Sequence, residues 1–520
     1  MTDPPATPPR PTPQAPSWGT AHPWLGHRWF TPSGCLVVEA AADVDPTVVF
    51  RHAAGRAHAL FLDSALVDPP AEDRATDAGV APRLGRHSFV AWDPIHSIEV
   101  RASDDWGADT ARIAAALDAL RRLVADLACQ TIPGLPPLQG GVAGFLAYEC
   151  GLARLGIEPP ADLAGPLVSL HLFDVVFAYD HDFGRGWFIS QGVPARGPSA
   201  RRRRAAERLE AVLVAPPAGR RPAAPFPPVG GDRHPLPGHP RVTSSHGRDD
   251  YLAMVRAGIE CIRGGDVFQV NLAQRLQVRA AADPVEIHLR ARALNAAPFA
   301  AYFDTGPMQL VSMSPERFLQ VSRGVVRSHP IKGTRRITSH PEADLFAGDD
   351  LEASAKDRAE NVMIVDLLRN DLARVCTPQS VRVEALCRLE RYRYVQHLVS
   401  VVAGRLRPGL GAVDALAGAI PGGSISGAPK HRACELIGRL EGVARGPYCG
   451  SIGYVGLDGT ADFNLLIRTL VVTSDTIAFS AGGGVTAASD PALEYAESLH
   501  KAEGMLRVLE AFGIAGGGVA

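Results

Sequence analysis

The strongest constraint on this chain is a stretch in which no regular element can run far. From Ala215 to Val242 it reads APPAGRRPAAPFPPVGGDRHPLPGHPRV. Proline at that density removes backbone donors and is excluded from helix interiors and central strands. Segment 215–244 therefore reads as a linker between a first block, 24–214, and a second, 245–513. Residues 1–23 are also proline-rich and lack the apolar centre of a signal peptide, so they read as a disordered tail. With 520 residues, the blocks could be separate domains or parts of one large intertwined fold.

The first block mixes short apolar runs, such as Ser88–Trp92 and Val168–Leu172, with one long amphipathic pattern from Thr110 to Leu127. The runs read as strands and the pattern as a helix, an α+β mixture. Arg201 to Arg204 carry no aromatic residues between them and read as the solvated start of a helix rather than a nucleic-acid patch. The charge balance agrees: 53 Lys and Arg against 55 Asp and Glu give no electrostatic footprint for nucleic acid or an anionic membrane. No run of 18 apolar residues suggests a membrane span. Eight scattered cysteines without a CxxC pair read as reduced thiols, so the expected location is the cytoplasm.

The second block opens on a helix, DDYLAMVRAGIECIRGG, in which Tyr251, Leu252, Val255, Ile259 and Ile262 form one apolar stripe. Asp249 or Asp250 is placed to cap it, and Gly264 and Gly265 to stop it. In AENVMIVDLLRNDL, 359–372, Glu360 shares a helical face with Met363, Ile364, Leu367 and Leu368. A carboxylate buried there needs a cation, a metal or a proton; at a helix end it could equally face water. Glu494 and Glu497 lie one turn apart, with Lys501 four residues after Glu497, which alone reads as a solvated helix face. Brought together with Glu360, these acids would suit Mg²⁺, which takes oxygen ligands and keeps several waters.

Lys332 lies in PIKGTRR, 330–336, where Gly333 permits close backbone approach and Thr334 offers a hydroxyl to an anion. At its ordinary pKa only about one such amine in a thousand is neutral near pH 7.4, roughly 4 kcal/mol short of full activation. Exclusion of water would make it a usable nucleophile; otherwise it is a surface strand-end lysine. GGSISGAPK, 422–430, imitates a phosphate loop, but Ala428 and Pro429 stand where that motif needs lysine. It reads instead as a loop feeding a helix whose free amides could hold a carboxylate. AGGGV, 481–485, is a second glycine-rich turn.

These motifs, with SPERF at 314–318, YVQHL at 394–398 and Ile467-Arg468-Thr469, resemble the chorismate-utilising enzymes across about 245–512. The first block resembles that family more loosely, through Leu62-Asp63-Ser64 and GGVAGFLAYECG at 140–151. The resemblance implies an α+β fold with large antiparallel sheets packed face to face, helices outside and the active site in the central cleft. It implies that Glu360, Glu497 and Glu494 bind Mg²⁺, which grips the ring carboxylate of chorismate, with Thr334 and the Gly427 loop beside it. Tyr448, Arg468, Lys501 and the Gly482 to Gly484 amides would hold the enolpyruvyl carboxylate, while Ser424 and His397 line the ring.

Lysine in PIKGT, together with QVNLAQR at 269–275 and Gly423-Ser424, resembles the aminodeoxychorismate synthase subgroup; anthranilate synthases typically carry alanine at the lysine. That implies Lys332 as a covalent nucleophile and Glu316 as its acid, with ammonia supplied by a separate glutamine amidotransferase subunit. No glutaminase or lyase region is expected within the 520 residues. Anthranilate synthesis, isochorismate or salicylate synthesis, and a non-catalytic scaffold remain the alternatives. Leu62-Asp63-Ser64 partly matches the segment through which related subunits bind tryptophan, and leaves open whether this chain does.

Overall fold

The computed structural model describes residues 22–65, 84–214, 234–337, 341–391 and 395–515. Among them, β-strands form two large sheets, of 14 and 10 strands, in which neighbouring strands run antiparallel. The larger sheet begins with first-block strands Leu25–Phe30, Leu36–Ala40, Arg185–Ser190, Val175–Asp180, His87–Ala91 and Leu60–Asp63. It continues through second-block strands Phe299–Asp304, Gln309–Ser314, Thr469–Val472, Thr476–Val485, Gln269–Arg279, His239–Ser244 and His234–Leu236. The smaller runs Ile331–Arg336, Val395–Arg405, Val325–Ser328, Arg317–Ser322, Ala461–Leu465, Ser451–Gly456, Gly141–Leu146, Pro166–Phe173 and His96–Arg101; off these paths, Gly427–Ala428 pairs with Gln269–Arg279 in the larger sheet and Arg382–Arg391 with Val395–Arg405 in the smaller.

Each sheet thus contains strands of both blocks. In the larger, Phe61 pairs with Tyr302 and Leu62 with Ala301; in the smaller, Phe145 pairs with Ile452. The side chains along these seams are buried in two clusters that each draw on both blocks, one including Phe145, Phe173, Phe303 and Phe463 and the other Phe61 and Tyr302. The expected linker is shorter than the composition suggests, because His234–Leu236 and His239–Ser244 form a hairpin on the edge of the larger sheet. Pro235 and Pro240 are tolerated there because an edge hairpin leaves some of its amides outside the ladder. Only 215–233 of that segment lies outside the described residues.

The helices sit where their patterns require. Trp106–Asp126 and Ala355–Ala373 contain the two expected stretches, with Ser354 capping the second through its hydroxyl. In Arg248–Arg263 the N-cap is Gly247, ahead of the expected Asp249 or Asp250, and Asp250 accepts the Gly247 amide at 3.1 Å. Pro198–Val214 holds the arginine run, but Arg201 and Arg204 donate to the carbonyls of Gln191 and Val193 and only Arg202 and Arg203 are exposed. No helix among the described residues is long and apolar enough to cross a membrane.

Within the second block the chain passes directly between the sheets at two places. From Ser314 in the larger it reaches Arg317 in the smaller through Pro315 and Glu316. It returns from Leu465 to Thr469 through Leu466, Ile467 and Arg468. The crossings are tied to each other: Leu465 donates its amide to Glu316 O at 3.2 Å, and Met313 donates to Arg468 O at 3.0 Å.

A core shared by both blocks has a measurable consequence. Phe61→Ala should cost about 3–5 kcal/mol and shift one concerted urea transition; two transitions of which only one moves would show that the blocks unfold independently.

Candidate active site

The two crossings and the edge strand Ile331–Arg336 bring Lys332 and Arg468 into electrostatic reach of Glu316. Ser424 links the first two, since its hydroxyl donates to Glu316 Oε1 at 2.7 Å and its carbonyl accepts from Lys332 Nζ at 3.5 Å. Glu316 is buried, and burial pushes its carboxyl up to about 7 although the Ser424 hydrogen bond and the Lys332 charge act against it. Removal from water lowers the Lys332 ammonium from its usual value, opposed chiefly by Glu360. An acid that keeps its proton near neutrality thus lies beside an amine inclined to lose one.

Local backbone geometry produces this placement. The ladder between Ile331–Arg336 and Val395–Arg405 slips between Lys332 and Thr334, where Gly333 adopts φ +69°. A Cβ at Gly333 would lie 2.5 Å from the Leu351 side chain, so only glycine allows the bulge to sit under the following helix. Across the ladder lie Leu398, opposite Lys332, and His397, opposite Thr334. Burial and then Arg468 push His397 down to about 3, so its ring is neutral. The Thr334 side chain lies outside the described residues.

The acids converge from two helices. Ala355–Ala373 presents Glu360, half-buried as its apolar face requires, and Pro491–Glu510 presents Glu494 and Glu497. Burial raises Glu360 and Glu494, and a neighbouring carboxylate adds to the rise in each. Burial also acts upward on Glu497, but Lys501 outweighs it through a 2.7 Å ion pair and the net shift is downward. Lys501 donates to Gly482 O at 2.9 Å, which fastens the helix to the glycine strand. A Cβ at Gly483 would stand 3.2 Å from both Glu494 Oε2 and Glu497 Oε1 and 3.3 Å from Lys501 Nζ. The missing side chain is what leaves these groups free to face one space.

Gly427 closes another side of the cleft. Its φ is +141°, and a Cβ there would lie 2.2 Å from Gln269 O. Tyr448 is half-buried under the Arg445 guanidinium, 5.5 Å from its ring, and burial keeps its phenol strongly protonated.

Two supports were not anticipated from the sequence. Arg445 is buried in an ion pair with Glu441 at 2.6 Å and donates to Ile425 O and Asn271 O, both at 2.9 Å. Lys430 is buried against Asp371 at 2.6 Å and donates to Ala419 O at 3.1 Å. Lys430 and Asp371 lie inside the quoted motifs, so their charges on otherwise apolar faces were the available signal.

A separate cavity of about 270 Å³ is lined by Leu62, Asp63 and Ser64 among others. Asp63 is already paired with Arg292 at 2.8 Å, and the Ser64 hydroxyl donates to His87 O at 2.7 Å. The polar groups of that segment are therefore engaged within the fold.

Comparison with known proteins shows the family. The family model described as chorismate binding enzyme matches residues 74–507, reaching well into the first block. Anthranilate synthase component 1 of Streptomyces coelicolor is 36% identical, over 89% of this chain and 86% of that protein. Aminodeoxychorismate synthase component 1 of Salmonella typhimurium is 34% identical, over 82% and 90%. The crystal structure of anthranilate synthase component I from Streptococcus pneumoniae superposes with a TM-score of 0.66 at 28% identity, covering 85% of this chain and 97% of the other.

If the space over Gly483 is where substrate groups meet the acids, filling it should harm function and spare the fold. Gly483→Ala should reduce chorismate turnover about 10²-fold, the scale of a 1 Å misplacement, with an unchanged melting temperature. Undiminished turnover would remove this surface from the site.

Proposed function

The chain belongs to the chorismate-binding enzyme family, and on that premise we propose that it is the synthase component of an aminodeoxychorismate synthase, aminating chorismate with ammonia to 4-amino-4-deoxychorismate. The observation that carries the reading is Lys332, a partly buried amine held by a carbonyl at 3.5 Å beside a raised carboxyl. Overall identity does not separate the amination outcomes, being 36% to an anthranilate synthase and 34% to an aminodeoxychorismate synthase. The side chain at 332 does bear on the difference, because only an amine there offers a covalent route.

Lys332 Nζ, as the free amine, attacks C2 of chorismate. The ring double bonds shift and the C4–O bond breaks, with Glu316 giving its proton to the departing hydroxyl so that water leaves. Ammonia then attacks C4, the double bonds shift back, and the C2–N bond breaks to release Lys332. The sum is chorismate and ammonia to 4-amino-4-deoxychorismate and water. Ser424 holds Glu316 in position, and the neutral His397 ring packs near the reacting carbons without adding charge. Arg468 and Tyr448 would hold the enolpyruvyl carboxylate, a guanidinium being suited to both its oxygens.

The acids fit a magnesium site: an all-oxygen donor set, two of its members driven toward protonation by burial and by the Glu497 carboxylate, is relieved by a hard divalent cation. Glu360, Glu494 and Glu497 would hold Mg²⁺, which supplies a positive anchor for the ring carboxylate. Thr334 and the Gly427 loop would flank that carboxylate, and Lys501 with the Gly482 and Gly484 amides would complete the anionic seat. Ammonia would come from glutamine through a separate amidotransferase subunit, as the "component 1" in the relatives' names suggests.

Incubation with chorismate, ammonium and Mg²⁺ should give a product with the mass of an aminated, pyruvyl-bearing ring. A fluorescent aromatic amine with loss of pyruvate would instead identify an anthranilate synthase, and an ammonia-independent product an isochorismate-type enzyme. Lys332→Ala should abolish the covalent adduct seen by intact-protein mass spectrometry and the amination with it; unchanged amination would sink the mechanism.

The pH profile follows from Glu316. Its carboxyl titrates near 7 rather than its usual 4.5, so the protonated acid is present below about pH 7 and lost as pH rises through it. Adduct formation without ammonia should fall on the alkaline side of 7. Glu316→Gln should lower the rate about 10²–10⁴-fold and abolish that limb; a limb that persists would belong to another group.

A further inference from the structure

At the edge of the smaller sheet opposite to Lys332, a polar cluster occupies a face that elsewhere is apolar. His96–Arg101 is that edge strand and pairs with Pro166–Phe173, placing Ser97 opposite His171 and Glu99 opposite Ser169. These four residues point to the same side, following the two-residue repeat of a strand. His58 covers them from the turn between the helix Pro46–Ala53 and the strand Leu60–Asp63. Its ring stacks on His171 with centroids 3.7 Å apart and planes 22° from parallel.

We propose that His58, Glu99 and His171 form a binding site for one divalent transition-metal ion of the zinc class. One nitrogen from each histidine and a carboxylate oxygen of Glu99 all lie within 4.8 Å of one another. Glu99 Oε1 is 4.0 Å from His58 Nε2 and 3.9 Å from His171 Nε2. Two imidazoles and one carboxylate, with a fourth position left for water, are a donor set that zinc takes and that magnesium does not favour, and to bind it His58 turns out of its stack on His171 so that both in-plane lone pairs reach the ion.

Three further features suit a metal. His171 is buried. Ser97 Oγ lies 2.8 Å from its Nδ1, the outer hydrogen bond that fixes a ligating histidine, and Ser169 Oγ lies 2.9 Å from its Nε2 and would yield to the ion. His58 Nδ1 is buried without a hydrogen-bond partner, and His58 holds φ +52°, a conformation uncommon for a residue with a side chain. Glu99, on the edge strand with its side chain 39% exposed, gives the ion a path from solvent.

The test uses the full chain, stripped with a chelator and held in excess Mg²⁺ to occupy oxygen-only sites. Zn²⁺ is then titrated against a chromogenic chelator, and Co²⁺ is followed by its visible absorption. The wild type should take one equivalent and show the intense bands of a low-coordinate, nitrogen-containing site. Glu99→Gln and His58→Gln, both partly exposed and therefore foldable, should each weaken binding about tenfold or more and remove the bands. Glu497→Gln should leave both unchanged. Equal affinity in the wild type and the first two variants, or loss in Glu497→Gln alone, would overturn the assignment, as would a wild type that takes up no zinc.

Discussion

The ladder between Gln269–Arg279 and Thr476–Val485 is the constraint from which the cleft is built. Ten consecutive residues pair, from Val270 with Val485 to Arg279 with Thr476. Because the pairing is continuous, it fixes Gly482 to Gly484 against Ala273, Leu272 and Asn271, and so fixes which backbone the acidic helix packs on. The same strand pairs with Gly427 and Ala428 through Gln269 and Val270, and carries the Asn271 carbonyl that anchors Arg445. A slip of one residue would turn every side chain of the ladder over, and the loop at 422–430 and the helix at 491–510 would lose their common reference.

Buried charge separates support from chemistry. Lys430 and Arg445 each have a carboxylate within 2.6 Å, and breaking such a pair on one side costs about 3–5 kcal/mol. Those pairs lock the loop 422–430 and the helix Lys430–Glu441 to the helix bearing Glu360 and to the sheet. Lys332 is different. Among the described residues it has no carboxylate in ion-pair contact, only the Ser424 carbonyl, so its charge is poorly compensated and its neutral form gains. Sequence composition treats these lysines alike; the distance to a partner distinguishes them.

What the sequence disclosed follows the same division between local and long-range. The helices at 248–263 and 355–373 were legible because their stripes and caps are local: Glu360 does sit half in the face of Ile364, Leu367 and Leu368. The hairpin at 234–244 was not, because composition argued against it and what holds it is long-range, pairing with 276–277 and burial of Leu236 and Val242. Two blocks could be read from the proline break, but not that Phe61 would lie against Tyr302 across more than two hundred residues. In the site, the motifs named Glu316, Lys332, Glu360 and Glu497, and the three acids do lie within electrostatic reach of Lys332, yet Glu441, which holds Arg445 and the Ala273 amide, carries no signature beyond its burial.

The passages between the sheets at 314–317 and 465–469 explain why the reacting groups come from where they do. A residue within a ladder has its backbone committed and its side chain directed to one face, whereas a residue at a crossing escapes both limits. Glu316 and Arg468 occupy such crossings, and Arg468 takes φ +51° to make its turn. Because each crossing is hydrogen-bonded to the other, acid and guanidinium are fixed relative to one another by backbone rather than by long side chains. Lys332 reaches the same point through the bulge at Gly333. The cleft therefore collects its polar groups at the irregular positions of an otherwise regular pair of sheets. There their desolvation, about 1.4 kcal/mol for each pKa unit, is borne by the surrounding ladders, and the groups stay apart until a substrate brings charges of its own.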